Sequence, residues 1–305
     1  MTRIVVTGAT GLIGKHAVAA LVAQGHDVHA IARQIPKQSM AGVTWHEYDL
    51  LGAIDLDSFF SKIQATHLLH FAWVTDHGKF WNAPENFDWK MASKTLIKAF
   101  HKNGGIRVVM AGSCAEYDWN NLDDGICREQ TTALKPHTLY GQAKLDTFRW
   151  LAEFSDDTDT SYAWGRVFLV FGTGEASERL VPSIIKALVS GQEAKCSSGT
   201  QVRDFLDAKN VGRAFAALLM CDVVGAVNVA SGKARTIANV AKTLGEISGR
   251  ADLIKLGALP DRTDDPAILV ADVSRLENEV CFASDIDIYD SLAASYADIN
   301  ECDHG

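Results

Sequence analysis

Thr7-Gly8-Ala9-Thr10-Gly11-Leu12-Ile13-Gly14 follows the short apolar run Ile4-Val5-Val6. It opens a segment that carries Leu12, Ile13, Ala17, Ala20 and Leu21 along one side. Strand, glycine turn and helix in that order is the context a phosphate-binding turn requires. Glycine lets the backbone turn tightly and approach a pyrophosphate, because no side chain stands in the way. The helix N-terminus then offers unpaired N–H groups and the positive end of its dipole to the anion. The spacing alone is a weak signal, so other residues must decide what the turn is for.

Outward from that turn, the first half of the chain alternates. Strand-like runs lie at 3–7, 27–32, 43–48, 66–72, 106–111 and 160–168. Helical segments fall between several of them, at 12–24, 54–63, 86–103 and 139–154, with Gly25 where a helix C-cap glycine belongs. Repeated strand–helix–strand order predicts an α/β fold with a doubly wound parallel sheet. After residue 170 the pattern changes. Helices are expected at 180–190, from Asp207, from Thr236 to Gly249 and again around Ile288 to Ile299, with short strands at 226–230 and 252–256. The division expected is 1–170 for a dinucleotide-binding domain and 171–305 for a smaller mixed α/β substrate lobe, part of which returns to the sheet. A cleft between the two is a natural ligand site.

Composition narrows the class. The 305 residues are 47% hydrophobic and 22% charged, ordinary for a globular chain with a large core. A net charge of −9 argues against a nucleic-acid surface. The six cysteines are scattered, with no Cys-x-x-Cys pair, so neither a zinc site nor a disulfide framework is indicated. His67, His70 and His77 lack partners at metal-ligand spacing, and no metal is expected. No apolar run reaches the length of a membrane span and no leader pattern is present, so the expectation is a cytoplasmic protein without a membrane partner.

The end of the second strand reads Ala30-Ile31-Ala32-Arg33. A site for NAD usually places an acid there, on the ribose 2′-OH; Arg33 is instead suited to a 2′-phosphate, or is a solvated loop arginine. The balance favours NADP (as NADPH), with NAD as the alternative. At the third strand end, Asp49 reads either as an acceptor for the adenine amino group, with Leu50 over the ring, or as a turn aspartate.

Tyr140-Gly141-Gln142-Ala143-Lys144 begins a helix and puts Tyr140 and Lys144 one turn apart on one face. An ammonium near a phenol favours phenolate, which makes the tyrosine a usable acid or base near neutral pH. Val108-Val109-Met110-Ala111-Gly112-Ser113 delivers a serine at a strand's C-terminal end, where ligands bind in such sheets. Ser113 there could bond the same oxygen that Tyr140 protonates; alone it reads as well as a turn cap.

Taken together, Thr7–Gly14, Ser113 four residues before Tyr117, and the Tyr140/Lys144 pair resemble the extended short-chain dehydrogenase/reductase family. The branch they resemble is that of nucleotide-sugar epimerases, dehydratases and reductases. His70-Phe71-Ala72, Arg166 to Gly172 and Gln201 to Phe205 fit the same likeness, which extends over nearly the whole chain. It implies a Rossmann fold and a homodimer through a helix pair that includes 86–103 and 139–154. It implies that Gly8, Thr10, Gly11, Leu12, Ile13 and Gly14 hold the pyrophosphate, that Arg33, Asp49 and Leu50 hold the adenosine end, and that Ala72 lies along the cofactor. Ser113, Tyr140 and Lys144 would be catalytic, with Tyr140 and Lys144 also touching the cofactor. Arg203 and Arg262 match positions that face a nucleotide-sugar diphosphate, and Arg179, Trp73 and Glu116 join the expected substrate contacts. Trp81, Trp89 and Trp119 mark the same region.

Departures from the family's patterns narrow the reaction. The 4,6-dehydratases carry an Asp-Glu pair directly after the serine, where this chain has Cys114 and Ala115. The epimerase-reductases with a catalytic cysteine place it two residues before the tyrosine equivalent to Tyr117, where this chain has Ala115. With Arg33 in place of an acid, the expectation is an NADPH-dependent ketoreductase acting on the C4 keto group of a nucleotide-linked deoxy sugar. The alternatives are a nucleotide-sugar 4-epimerase holding NAD and a reductase of a non-sugar ketone or aldehyde. The complete catalytic set argues against a non-catalytic NADP-binding sensor.

Overall fold

The structure, a computed structural model, describes residues 2–261 and 265–303, the last two by backbone alone. In chain order the strands are β1 (Arg3–Thr7), β2 (Asp27–Ala32), β3 (Val43–Glu47), β4 (His67–His70), β5 (Arg107–Ser113), β6 (Ile126–Cys127), β7 (Ser161–Val167), β8 (Leu169–Phe171), β9 (Ala194–Lys195), β10 (Val202–Asp207), β11 (Gly225–Val229), β12 (Ala234–Thr236), β13 (Ile254–Lys255) and β14 (Ile268–Ala271). The helices are α1 (Gly14–Ala23), α2 (Leu56–Ile63), α3 (Glu85–Lys102), α4 (Leu139–Asp156), α5 (Leu180–Val189), α6 (Ala208–Met220), α7 (Ile237–Ser248), α8 (Ser274–Asn278) and α9 (Ile288–Asp303).

Among the described residues a seven-stranded sheet runs β11-β7-β5-β4-β1-β2-β3, parallel throughout. Parallel sheets bury both faces, and the alternation of side chains divides them here. Ile4, Val6 and Val109 face a core shared with α1 and α6. Val5, Val108 and Met110 face a core shared with α2, α3 and α4. The strand order reverses between β1 and β4, which is where ligands bind in such sheets. The expected α/β doubly wound fold is therefore the observed one.

The second lobe holds β12-β10-β14-β6, with β8 along β10, and α5, α7 and α9 packed around a core of their own. The chain also returns to the large sheet after residue 170. Gly225–Val229 pairs with β7 as its edge strand, and α6 lies on α1. Buried Arg107 on β5 fixes α6 there. It donates from Nε to Leu219 O at 3.0 Å and from Nη2 to Leu218 O and Val223 O, each at 2.8 Å. The last turn of α6 has no basic residue of its own, so this guanidinium answers the helix's free carbonyls and negative end.

Strands β6, β8, β9, β10, β12 and β14 are not anticipated from sequence. Apart from β10 they are short, while β10, six residues long, carries Arg203, Asp204 and Asp207 among its apolar residues. Asp204 is fully buried because it is satisfied. It accepts from Ser231 N at 2.8 Å, Ser231 Oγ at 2.6 Å, Gly232 N at 2.9 Å and Ala271 N at 3.3 Å. Among the described residues, no helix is long and apolar enough to cross a membrane.

Candidate active site

The glycine turn sits at the reversal point. Gly8 has φ +64, and a Cβ there would stand 2.7 Å from Ala72 N. A Cβ on Gly14 would stand 2.1 Å from Gly8 O, so α1 starts directly against the turn. No side chain caps α1, its first turn has no acid, and among the described residues no protein group accepts from the Leu12 and Ile13 amides. Gly11 and Thr10 are exposed beside them. Free N–H groups at an uncapped helix start, with glycines clearing the approach, fit a dinucleotide pyrophosphate. Gly14→Ala is expected to force α1 off the turn. Cofactor affinity should fall at least about 100-fold and the melting temperature should drop, since neither clashing atom is a flexible side chain. Fluorescence titration and thermal melting read the two effects.

A buried relay ties this turn to β4 and α3. Ala72 N donates to Thr7 Oγ1 at 3.2 Å, and Thr7 Oγ1 meets His70 Nδ1 at 2.5 Å. His70 Nε2 meets Ser93 Oγ at 2.8 Å, and Ser93 Oγ donates to Trp89 O at 2.7 Å. Because Ser93 gives its proton to Trp89, His70 donates from Nε2 and accepts at Nδ1 from Thr7. Burial pushes the imidazole down to about 3, with the charge of Lys144 adding to the effect, so His70 stays neutral. Sequence reasoning treated His70 only as a metal candidate and a family match. Spacing in the sequence does not mark the relay, because it is strand register that sets Thr7 opposite His70.

Arg33 is exposed just past β2, and Asp49 is exposed past β3 with Oδ1 accepting from Leu51 N at 3.1 Å. That bond closes a local turn through one carboxylate oxygen; Leu50 is half-buried against the core under α2. The Ala72 backbone lies close against Gly8, where a Cβ on the glycine would meet Ala72 N at 2.7 Å.

Ser113 ends β5 and caps the single 3-10 turn Cys114–Glu116, its Oγ accepting from Ala115 N at 3.2 Å. Tyr140 stands in the first turn of α4, set by Thr138, whose Oγ1 accepts from Gly141 N at 3.1 Å. Burial raises the Tyr140 phenol well above its ordinary value, while a hydrogen bond with Ser113 and the charge of Arg179 pull it down. The expected lowering of the phenol by Lys144 is not found. The Lys144 Nζ lies 5.8 Å from the Tyr140 ring centroid, 3.8 Å over the Trp73 ring, and donates to Ala111 O at 2.8 Å. Burial pushes Lys144 itself down to about 7, with Glu116 opposing.

Two expected substrate contacts are corrected. Glu116 is fully buried beneath Ser113. It accepts from Ser113 N at 2.8 Å, Trp164 Nε1 at 2.9 Å and Arg166 Nε at 2.8 Å. It holds the serine's backbone and cannot reach a sugar. Trp73 is also buried; its Nε1 donates to Asn86 Oδ1 at 2.8 Å and its face carries Lys144. Cys114 is buried and desolvation raises its thiol, so it has no acid–base use.

Of the arginines, Arg179 caps α5 by position and pairs through Nε with Glu175 Oε1 at 2.8 Å. Arg203 is buried, donating from Nη1 to Val202 O at 2.7 Å and pairing with Asp265 at 2.8 Å, and its charge is felt by Cys114 next to Ser113. Arg262 lies outside the described residues.

A glycine turn at the sheet's reversal point, with Ser113, Tyr140 and Lys144 beside it, defines an oxidoreductase of the extended short-chain dehydrogenase/reductase type that uses a nicotinamide dinucleotide. The chain belongs to the NAD dependent epimerase/dehydratase family, whose sequence pattern matches residues 4–230. It is similar to UDP-arabinose 4-epimerase 1 of Arabidopsis thaliana, with 24% identity over 92% of this chain and 75% of that one. Among solved structures, UDP-N-acetylglucosamine 4-epimerase from Methanobrevibacter ruminantium M1, in complex with UDP-N-acetylmuramic acid, superposes with a TM-score of 0.87. Its identity is 24%, and 99% of each chain is covered. The UDP-glucuronic acid 4-epimerase from Bacillus cereus, in complex with UDP-glucuronic acid and NAD, has a TM-score of 0.85 at 19% identity, over 99% of this chain and 100% of that one.

Proposed function

We propose that this chain is a nucleotide-sugar 4-epimerase that oxidises and re-reduces the sugar C4 hydroxyl. The observation that carries the reading is that the start of α4, with Tyr140, packs on the turn that Ser113 caps, a Cβ on Gly141 standing 2.4 Å from Ala115 O, while the start of α1 is uncapped at the C-terminal edge of the same sheet. The similar proteins favour this over the net ketoreductase expected from sequence, since those described above carry 4-epimerase names.

A bound nicotinamide supplies the acceptor and then the donor of the C4 hydride. Tyr140 would take the proton of the C4 hydroxyl and return it to the same oxygen. Ser113 donates to that oxygen. Lys144 holds its position over Trp73, where it can bind the ribose hydroxyls and pass protons toward Tyr140. Arg179 and Arg203 would serve the diphosphate by exchanging their present carboxylate partners, Glu175 and Asp265, for it. Exposed Phe87 and Met91 on α3 support a homodimer in which α3 and α4 meet their copies.

A specific residue favours a second reading. Arg33, exposed and without an acid at the end of β2, suits the 2′-phosphate of NADP and hence net reduction of a 4-keto sugar. The test is to identify the nucleotide released from the purified protein, then to incubate it with UDP-sugar epimer pairs. Tightly held NAD and interconversion without net cofactor change support the epimerase. Net NADPH oxidation by 4-keto sugar nucleotides would replace it with the reductase. Arg33→Asp is expected to shift the ratio of NADP to NAD affinity at least about tenfold toward NAD. An unchanged ratio removes Arg33 from cofactor choice.

A further inference from the structure

Tyr140 is walled by aromatic rings that the reaction itself does not require. Phe80 meets it at 4.9 Å between centroids and 85°, and Trp81 at 5.8 Å and 90°. Trp81 in turn meets Trp119 at 6.3 Å and 78°. Trp119 Nε1 donates to Cys114 O at 2.9 Å, in the turn that Ser113 caps. The rings thus form an arc from the tyrosine to the serine. All three are half-buried, so each keeps part of its surface accessible.

This wall is built, not incidental. Phe80 and Trp81 sit in a one-turn 3-10 segment, Phe80–Asn82. Asn86, fully buried at the start of α3, donates from Nδ2 to Phe80 O at 2.7 Å and to Ala83 O at 2.8 Å. Its Oδ1 is held by Trp73, the residue beneath Lys144. The polar neighbour Asp118 is engaged locally, by Asn120 N at 3.2 Å, Asn121 Nδ2 at 2.6 Å and His137 at 3.3 Å.

We propose that Phe80, Trp81 and Trp119 form the subsite for the C5–C6 side of the sugar and select a 6-deoxy methyl group over a hydroxymethyl. The inference rests on the C4 chemistry proposed above. With C4 at Tyr140, the wall touches the substituents of a carbon next to C4. The C3 side carries a hydroxyl that needs a polar partner, whereas C5 carries a hydrogen and C6. Aromatic faces pack against C–H groups and a methyl, and an apolar wall leaves a C6 hydroxyl without its hydrogen bonds.

The test compares UDP-D-glucose with UDP-6-deoxy-D-glucose, with NAD present, for the unmodified protein, Trp81→Ala and Trp81→Phe. The unmodified protein is expected to favour the 6-deoxy sugar in kcat/KM by about tenfold to a hundredfold. Trp81→Ala should bring the ratio near one, and Trp81→Phe should restore most of it, while titrated NAD affinity stays the same in all three. Turnover of both sugars without a C6 preference, or a preference that survives Trp81→Ala, overturns the inference and leaves the proposed function standing. Turnover of neither sugar overturns the inference, and it overturns the proposed function as well when no UDP-sugar epimer pair is converted with NAD bound.

Discussion

Tyr140→Phe is expected to lower kcat by about a thousandfold while leaving cofactor affinity within about twofold of the unmodified protein. The change deletes one oxygen. The ring that packs on Phe80 and Trp81 remains, so α4 keeps its place and the cofactor turn is untouched. What disappears is the hydroxyl proposed to exchange a proton with the sugar oxygen, next to the turn that Ser113 caps. Because burial holds the phenol well above its ordinary value in the free chain, turnover should still be rising with pH above neutrality. Turnover by Tyr140→Phe above a tenth of the original rate would sink the mechanism.

Lys144→Met should do two opposite things: cut activity at least about 100-fold and make the fold more stable. The ammonium is buried, and its pKa falls from 10.5 to about 7 on folding. Between those values the unfolded chain keeps a proton that the folded chain has lost. Unfolding free energy therefore rises with pH across that window, by up to about 1.4 kcal/mol per unit, and below pH 7 the whole penalty is present. Methionine is of similar length, packs on the Trp73 face and has no charge to desolvate. A gain of roughly 1–3 kcal/mol at pH 7 is expected, with the pH slope between 7 and 10 flattened. Melting curves over that range check it; an unchanged slope would show that Lys144 keeps its proton throughout.

Features set by short-range pattern were legible in the sequence. The apolar runs of β1, β2, β5 and β7 gave the sheet, and Thr7–Gly14 gave the turn, because each signal lies within a few residues. Tyr140 and Lys144 were legible because helical spacing places them. Glu116 and Trp73 were misplaced for one reason: what buries them comes from far along the chain. Arg166 and Trp164 are about fifty residues from Glu116, and a carboxylate so satisfied looks no different in sequence from one aimed at a sugar. The four tryptophans marked around the site divide in the same way. Trp81 and Trp119 line it, while Trp73 and Trp89 stack on each other at 6.4 Å behind it. The His70 relay and the Asp204 hub were invisible because strand register, not spacing, assembles them.

Arg107 has a consequence for how this enzyme can move. It clamps α6, a helix supplied after residue 170, to the strand that carries Ser113. The chain leaves the large sheet after β7, comes back through α6 and β11, and leaves again into β12. With the earlier excursion from β5 into β6 and back through α4, at least five connections in the described residues cross between the lobes, and one of the returning pieces is bolted to the catalytic strand. A hinge about a single linker is ruled out by that braiding. Access to Tyr140 must be governed by local rearrangement of short segments at the rim, such as 74–84 and 172–179, and turnover should respond to mutations there more than to any change between the lobes.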